Sequence, residues 1–537
     1  MDILEKAMKK VEIHRADSVK GALYLPEEVT AHGETVRITW ESDRPEVVNP
    51  AASGVNGEIA PGFVTRPDED VRVKLTATFH YCPAELSLKN NSESTEKTPG
   101  HKERVSETSE GTFGNRAGKI TVKAPVDENN GTTEGVSINE NCDILTNVSA
   151  KANEKTAQKT FEVLVKKKPE EKVYGGYVYT YFHGAKKKKE KEVQQVHLAA
   201  SDDGLHWQEL NKGKPVLVSN LGTGGARDTV IFRSHEGDRF YILATDLDAN
   251  GGDWATYGNE GSPYIIIWES DDLVNWSAPR MVKIGFPDSA CTWAPRAFYE
   301  EATGQYVVYW SSEKLPSDWK AFMAEMHRKE KLSDPGKKKK KHKKRKPSEE
   351  ELRMFREMRP GKQIYYAKTR DFIHFTEARL YKGVRPNKPP YNDDLRLKHF
   401  DGPWLSYIDT TVYKYHDTVY RFTKREQDIT IFLETANDWF GEFTTKRQVI
   451  AGETGVEGPD IFKLNGREQW ILMMDGYCRK NKRVGYFPLI AEGEEALKSG
   501  DFRRLAPDEY EMPPGAKHGA IIPVTKEELE AVRGKWK

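Results

Sequence analysis

The chain is poor in cysteine, has no long apolar run and carries no net charge. Its 537 residues contain four cysteines, at positions 82, 142, 291 and 478. None forms a Cys-x-x-Cys pair, so a zinc site of that kind is not predicted. Cys82 and Cys142 flank a polar stretch, and whether they pair is left open. No segment is long and apolar enough to predict a membrane span.

The first residues, Met1–Lys6, lack the apolar core of a signal peptide. This pattern is compatible with a cytoplasmic protein or with an export signal that is absent from this chain. Of the two, we favour a secreted or cell-surface location.

The zero net charge hides an uneven distribution. Two lysine-rich runs, 186–189 and 337–346, carry thirteen positive charges, so the remainder is strongly acidic. Such a surface does not suit nucleic acid, and no nucleic-acid partner is predicted. We interpret the runs as solvated loops. A scaffold that binds an anionic partner through them is the alternative.

Residues 1–170 have the pattern of a separate β module. Apolar and polar residues alternate in Val36–Trp40 and Val71–Ala77, as they do in half-buried strands. A polar insertion at about 83–156 interrupts the pattern. Strand character returns at Lys159–Val165, which is therefore predicted to be the last strand of the module.

A second pattern covers residues 173–530. A unit recurs four times, and it consists of an apolar strand, a polar turn that contains aspartate and a closing aromatic residue. The closing aromatics are Trp207, Trp276, Phe375 and Phe443. The widest interval contains a lysine-rich insertion at about 316–360, flanked by the helix-like segments 321–326 and 349–355. Regular repetition of strands indicates a radial architecture, so a five-bladed β-propeller is predicted.

Five hairpins in this region begin with a polar residue or turn. Their leading positions are Asp228, the turn Trp293–Arg296, Asp409, Glu457 and His518. On a propeller, these positions lie around one end of the central channel. Three carboxylates that converge there indicate glycoside hydrolysis, because one must be protonated while another is ionised. The alternative is that these acids only bind turn amides.

This series resembles glycoside hydrolase family 43 over residues 173–526. The motifs are Ala226–Asp228, Cys291–Pro295, Tyr407–Thr411, Val456–Pro459, Lys517–Gly519 and Ile522–Val524. The resemblance implies an inverting enzyme with Asp228 as general base and Glu457 as general acid. It also implies that Asp409 tunes the pKa of the acid. His518 corresponds to an axial histidine that holds water or a metal ion, often calcium, and no cofactor is required for the chemistry.

The N-terminal module resembles the bacterial immunoglobulin-like domains that precede some members of that family. The matching pieces are Leu25–Pro26, Thr39–Ser42, Val64–Pro67 and Leu75–Thr78. The predicted fold is therefore all-β, an immunoglobulin-like β-sandwich followed by a five-bladed β-propeller. The module is expected to space or support the catalytic domain.

Aromatic and polar side chains near the acids are candidates for sugar binding. The aromatic candidates are Trp254, Trp293, Trp404 and Tyr477. The candidates for binding sugar hydroxyl groups are Arg227, Arg421 and Asp475. An inward arginine is equally compatible with a structural ion pair.

Two positions depart from the family pattern. Thr229 replaces a proline, and this is tolerable because proline only restricts the backbone. Arg296 stands where an acidic residue is common. It could change substrate preference, pair with an added acidic group or mark a loss of activity.

The predicted reaction is exo-acting hydrolysis by an α-L-arabinofuranosidase on a polysaccharide or oligosaccharide. A β-xylosidase, galactofuranosidase or endo-arabinanase remains open, as does a non-catalytic carbohydrate-binding propeller. Inversion predicts carboxyl groups of Asp228 and Glu457 roughly 6.5–9.5 Å apart across an open pocket.

Overall fold

The computed structural model describes most of the chain outside three long segments. The described residues are 2–83, 154–184, 194–250, 254–317, 361–381, 406–482 and 484–537, with a few positions between 319 and 328. The chain divides into two compact units. One comprises residues 1–10, 28–39 and 78–158, and the other comprises 11–27, 40–77 and 159–537.

The described residues of the N-terminal region form one helix, α1 (Ile3–Lys10), and six strands. The strands are β1 (Glu28–Ala31), β2 (Glu34–Ser42), β3 (Val48–Asn49), β4 (Phe63–Val64), β5 (Val71–Tyr81) and β6 (Lys155–Val165). They form a four-stranded sheet in the order β1-β2-β5-β6 and a separate β3-β4 pair. Buried and exposed positions alternate in β2. The predicted strands are confirmed, whereas the insertion lies largely outside the described residues.

In the larger region, the residues that the structure describes form five antiparallel sheets of four strands each. The first four sheets comprise β10 (Ala226–Arg233), β11 (Phe240–Asp246), β12 (Tyr264–Ser270) and β13 (Arg280–Lys283); β14 (Trp293–Glu300), β15 (Gln305–Ser312), β16 (Gln363–Thr369) and β17 (Arg379–Leu380); β18 (Tyr407–Tyr415), β19 (Thr418–Arg425), β20 (Thr430–Ala436) and β21 (Thr444–Arg447); and β22 (Val456–Lys463), β23 (Gln469–Gly476), β24 (Gly485–Glu492) and β25 (Arg503–Arg504).

The fifth sheet joins the two ends of this region. It contains β7 (Gly176–Tyr181), β8 (His197–Ser201), β9 (Gln208–Glu209) and the last strand, β26 (Ala520–Val524). Strand β26 pairs with β7, giving the order β26-β7-β8-β9. The first strands contact one another in a closed cycle: β10 with β14, β14 with β18, β18 with β22, β22 with β26 and β26 with β10. Their starting residues therefore face a shared centre.

The helices in the larger region are short. Where the structure describes this region, they are α2 (Trp254–Tyr257), α3 (Glu494–Ser499) and α4 (Lys526–Lys535), with 3-10 turns at Asn211–Gly213, Ile450–Gly452 and Arg479–Asn481. Helix α4 begins with a capping box in which Thr525 and Glu528 satisfy each other's backbone amides. None of the helices in the described part of the chain has the length and apolar character needed to cross a bilayer.

The predicted aspartate turns are present at the ends of β8, β12, β16 and β20. Asp203 Oδ1, for example, accepts hydrogen bonds from the amides of Leu205 and His206. The equivalent acceptors are Asp272, Asp371 and Asp438. The fourth sheet has helix α3 at this place instead. The four-fold sequence repeat thus arises because a short carboxylate caps the same turn in four of the five sheets.

Candidate active site

The first strands of four sheets contain a β-bulge at the same place. Regular pairing is interrupted after Arg227, Trp293, Ile408 and Glu457. The next residue in each strand has a left-handed backbone: Asp228 (φ 50°), Ala294 (φ 49°), Asp409 (φ 50°) and Gly458 (φ 54°). A non-glycine residue in this conformation costs about 1–3 kcal/mol, and such strain concentrates at functional sites. The bulges re-aim side chains at the strand starts.

The fifth sheet follows the same register. The Lys517 amide donates to the Phe182 carbonyl, and pairing resumes between Ala520 and Thr180. His518 therefore occupies the position of Asp228 and Asp409. Glu457 does not, because it lies one residue earlier, where the other sheets have Arg227, Trp293, Ile408 and Lys517. The sequence pattern predicts equivalent positions for all the leading residues, and the structure corrects this for Glu457.

A further set of residues lies directly across the strand pair from Glu457 and its equivalents. We call this register the linking position; its residues are Phe182, Thr245, Ser311, Lys424 and Asp475. Each contacts the first strand of the following sheet. Thr245 Oγ1, for example, accepts from the amide of Ala294 at 2.8 Å, and Ser311 Oγ accepts from the amide of Asp409 at 3.2 Å. The linking position therefore joins neighbouring sheets around the centre.

Asp228 is held as a carboxylate by two donors. Thr245 Oγ1 donates to its Oδ2 at 2.7 Å, and His518 Nε2 lies 2.9 Å from its Oδ1. Burial opposes the charge of Asp228, but the hydrogen bond and positive charge of His518 outweigh this and lower its pKa to about 2. The side chain keeps 14 % exposure. It can therefore accept a proton from a nearby water molecule.

His518 lies between two carboxylates. Its Nδ1 is 3.0 Å from Asp475 Oδ2, and its Nε2 is bonded to Asp228. Burial disfavours the imidazolium, yet these hydrogen bonds raise the pKa of His518 to about 10. Both ring nitrogens therefore donate. Asp475 has no exposed side-chain surface and also binds Lys517 Nζ at 3.0 Å. It orients His518 and has no surface for the sugar contact predicted from the sequence.

This hydrogen bonding does not fit a metal ion on His518. Ligand atoms of Glu457, Asp475 and His518 do lie within 4.8 Å of one another. A metal on either imidazole nitrogen would, however, displace a proton that binds a carboxylate. Calcium also prefers oxygen ligands. The cluster is better described as an imidazolium that holds Asp228 and lies close to Glu457.

Asp409 is the most enclosed of the three predicted catalytic carboxylates. Its Oδ2 accepts from the Gly458 amide at 3.2 Å, which brings it next to Glu457. Burial raises the pKa of Asp409 to about 6, although Lys424 and His518 act in the opposite direction. The charges of Glu457 and Asp228 add to the increase. Asp409 is therefore a carboxyl group that gains a proton in mildly acidic solution.

Glu457 is the most exposed of the three carboxylates, at 20 % of its side-chain surface. Its Oε2 accepts a hydrogen bond from Lys424 Nζ at 2.9 Å. Lys424 is almost fully buried. Burial disfavours its charge, but Glu457 and Asp409 raise the pKa of Lys424 well above its usual value. The three carboxylates thus meet around two cations, Lys424 and His518.

Gly458 makes room for the His518 ring. A Cβ at this position would lie 2.2 Å from Cβ and Cγ of His518. We expect Gly458→Ala to destabilise the protein, because the left-handed backbone costs about 1–2 kcal/mol and overpacking costs about 1–3 kcal/mol more. Thermal denaturation measures this. Gly466 is the matched control, since it has φ 68° but a Cβ added there would meet nothing within 4 Å. Equal losses of stability in the two variants would contradict the packing argument.

Two of the predicted aromatic residues lie beside one another at the site. Trp254 and Trp293 have ring centroids 6.2 Å apart and perpendicular planes. Trp254 is 57 % exposed. The guanidinium carbon of Arg227 lies 5.5 Å from the Trp254 ring and 4.6 Å from that of Phe182. An exposed indole with an adjacent cation provides a surface on which a sugar ring can stack.

The remaining predictions have mixed outcomes. Arg421 has no exposed side-chain surface and forms an ion pair with Glu434. It supports its sheet and is not part of the site. Tyr477 lies with its ring 5.0 Å from Lys424 Nζ. Trp404, Cys142 and both lysine-rich runs lie outside the described residues.

Arg296 forms a buried ion pair. Its Nη1 donates to Asp460 Oδ1 at 2.6 Å, and its Nη2 donates to the carbonyls of Pro459 and Gly519. Of the three interpretations drawn from the sequence, pairing with an acidic group is the one confirmed. Arg296 therefore stabilises neighbouring strands. In the contacts described, it forms no ion pair with Asp228, Asp409 or Glu457.

Sequence reasoning assigned no role to Lys424, Thr245 or Lys517, although Lys517 stands in one of the motifs. Each binds a carboxylate of the cluster: Glu457, Asp228 and Asp475 respectively. Two of the three lie on second strands, which a comparison of leading positions does not include. A comparison of the hairpins from their second strands would have aligned Lys424 with Asp475.

Comparison with known proteins adds a family to this geometry. A family model described as a probable glycosyl hydrolase domain related to family 43 matches residues 172–329 and 349–530. An alpha-L-arabinofuranosidase of Bifidobacterium longum subsp. longum is 28 % identical over 367 residues. The match covers 64 % of this chain and 30 % of that protein, so this chain spans less than a third of that relative's length.

Solved structures also match parts of the chain. A beta-1,3-galactosidase of family GH43 is 12 % identical, with a TM-score of 0.37, over 64 % of this chain and 58 % of its own. An exo-1,5-alpha-L-arabinanase from a bovine ruminal metagenomic library is 13 % identical, with a TM-score of 0.34, over 60 % of this chain and 90 % of its own.

Proposed function

We propose a reaction for this chain, which belongs to the family of glycosyl hydrolases related to family 43. The chain is a glycosidase, and its substrate is a carbohydrate. Within that class, we propose that it is an exo-acting α-L-arabinofuranosidase that releases terminal sugars with inversion. The observation that carries the proposal is the convergence of Asp228, Asp409 and Glu457 around His518 and Lys424.

The architecture proposed for this reaction is a five-bladed β-propeller. Five four-stranded sheets, the closed cycle of contacts between their first strands and the pairing of β26 with β7 support it. For the N-terminal strands we propose an immunoglobulin-like domain. In the propeller, the bulges turn residues from distant parts of the sequence towards one axial site.

The proposed mechanism divides the chemistry between two carboxylates. Asp228, whose pKa is about 2, is the general base and takes a proton from the attacking water. Glu457 is the general acid and donates a proton to the departing glycosidic oxygen. Above its pKa of about 6, Asp409 adds a negative charge beside Glu457 and favours the protonated acid. His518 keeps Asp228 oriented and ionised.

We assign the sugar platform to Trp254, Trp293 and Arg227. The exposed face of Trp254 and the adjacent guanidinium support this assignment. A stacking aromatic and a charged donor together bind the apolar face and the hydroxyl groups of one sugar ring. A secreted or cell-surface location, where plant or microbial polysaccharides are met, is part of the proposal.

The reaction is tested with a panel of 4-nitrophenyl glycosides and the matching oligosaccharides. We expect the α-L-arabinofuranoside to be hydrolysed at least about tenfold faster, in kcat/KM, than the β-xyloside and the galactofuranoside. Proton NMR during turnover should detect the β-anomer of arabinose first, because inversion changes the anomeric configuration. Binding without hydrolysis across the panel would support a carbohydrate-binding protein. Initial release of the α-anomer would contradict inversion.

A further inference from the structure

We propose that Lys424 is a positioning residue for the general acid: its buried ammonium group holds one oxygen of Glu457 and places a positive charge beside the group that donates the proton. The inference rests on the proposed function of Glu457. Lys424 itself is not among the residues that the sequence pattern or the family resemblance assigns to the site. It acts through Glu457 and leaves the other carboxylate oxygen to face the substrate.

The linking position supplies the first argument. In the other four sheets the linking position is occupied by Phe182, Thr245, Ser311 and Asp475. The threonine and the serine each accept a hydrogen bond from a backbone amide of the following first strand. Lys424 is the cation among the five. Lys424 contacts Glu457, which is the acidic residue among the five that directly precede the bulge.

The contact geometry supplies the second argument. Lys424 pairs in the strand ladder with Ile408, immediately before Asp409, and its Nζ lies 2.9 Å from Glu457 Oε2. The Lys424 side chain is 5 % exposed, so little solvent screens the pair. The other titratable groups that act on the pair are Asp409, Glu426, Asp475, Tyr477 and His518. Because the buried ammonium group of Lys424 is bonded to one oxygen of Glu457, it also restricts rotation of that carboxylate.

A cation in this place opposes protonation of Glu457. An opposite charge within about 4–6 Å favours the ionised carboxylate by roughly 1–3 pH units. The general acid must be protonated before the leaving group departs, and the alkaline limb of the pH profile reports that proton. Lys424 should therefore move the alkaline limb towards lower pH, whereas the neighbouring charge of Asp409 moves it towards higher pH.

The experiment measures kcat/KM against pH for wild type, Lys424→Met, Lys424→Gln and Lys424→Arg on an oligosaccharide. Loss of the charge in the Met and Gln variants should move the alkaline limb up by about one pH unit or more. The Arg variant should keep the limb near its wild-type position. Gln can still bind Glu457, so it should lose less kcat than Met. An unmoved limb in both uncharged variants would overturn the proposal.

Lys362 provides a matched control. It is a largely buried lysine whose Nζ pairs with Glu426 Oε2 at 3.1 Å, close to Trp293 and not bonded to Glu457. We expect Lys362→Met to leave the alkaline limb in place, whatever it does to KM through Trp293. A similar shift in this variant would mean that general charge, rather than the Lys424 contact, governs the limb.

A second measurement separates this inference from the proposed function. Infrared titration of protein labelled with 13C-carboxyl glutamate, with Glu457→Gln as the subtraction control, follows the Glu457 proton without any substrate. A higher midpoint in Lys424→Met than in wild type supports the inference, and an equal midpoint overturns it. Absence of hydrolysis across the substrate panel would instead overturn the proposed function while this titration still decides the role of Lys424.

Discussion

Asp228→Asn is expected to lower kcat/KM by roughly 10²–10⁴-fold, the range associated with loss of general acid–base catalysis. The amide has nearly the same shape as the carboxylate and can still accept from Thr245 Oγ1, so the bulge should persist. It cannot take a proton from water. The loss should be similarly large for good and poor leaving groups, because in a single inverting displacement the attack of water accompanies departure of either leaving group. Steady-state kinetics on aryl and natural glycosides measures it.

Asp246→Asn is the matched control for this loss. Asp246 is a buried aspartate of the same sheet that accepts from the amide and hydroxyl group of Thr223. It contacts no member of the carboxylate cluster in the hydrogen bonds described, so activity should stay within a few fold of wild type. Retention of full activity in Asp228→Asn would remove Asp228 from the mechanism.

The pH dependence gives an independent check on Asp228. The base acts when ionised, and its pKa is about 2. Its contribution is therefore complete above about pH 3 and is lost as the pH falls through about 2. Activity lost between pH 6 and 4 would arise from another group, of which Asp409 is the candidate, because its pKa is about 6.

The second large effect is expected for Glu457→Gln and should depend on the leaving group. For an oligosaccharide, whose leaving alkoxide needs a proton, kcat should fall roughly 10²–10⁴-fold. For a 2,4-dinitrophenyl glycoside, whose phenolate leaves without a proton, the fall should be much smaller. The ratio of the two rates measures proton donation directly. It is insensitive to a general loss of folded protein.

Glu426→Gln controls for the loss of a lysine-paired glutamate. Glu426 binds Lys362 and Ser406, and its pKa is lowered to about 2 despite burial. Any loss of activity in this variant should be the same for both leaving groups. If Glu457→Gln also showed no dependence on the leaving group, Glu457 would not be the acid.

Local features of the molecule were predictable from the sequence because each depends on neighbours in the chain. The turn carboxylates Asp203 and Asp272 bind amides two and three residues away. The alternation of apolar and polar residues in Val36–Trp40 and Val71–Ala77 indicates a sheet with one buried face. The acids Asp228, Asp409 and Glu457 were identifiable since each begins a hairpin with a recurring pattern. None of these inferences needed a distance across the molecule.

The role of Arg421 could not be decided in the same way. An inward arginine on a strand is compatible with a sugar contact or with an ion pair. The choice depends on the neighbouring strand, which supplies Glu434 opposite Arg421 in the ladder. Asp475 is similar: its place beside the site was predictable, but its complete burial behind His518 was not.

The amino-acid sequence by itself determined that the protein is built from strands, where those strands turn and which acids stand at their starts. These features follow from the pattern of apolar residues and from turn chemistry, both of which act between residues close together in the chain. Only the tertiary structure decided that Glu457 precedes its bulge whereas Asp228 and Asp409 occupy theirs, and that Lys424 and His518 supply the positive charges between them. Register across strands and contacts between sheets join residues hundreds of positions apart, and ionisation depends on those contacts.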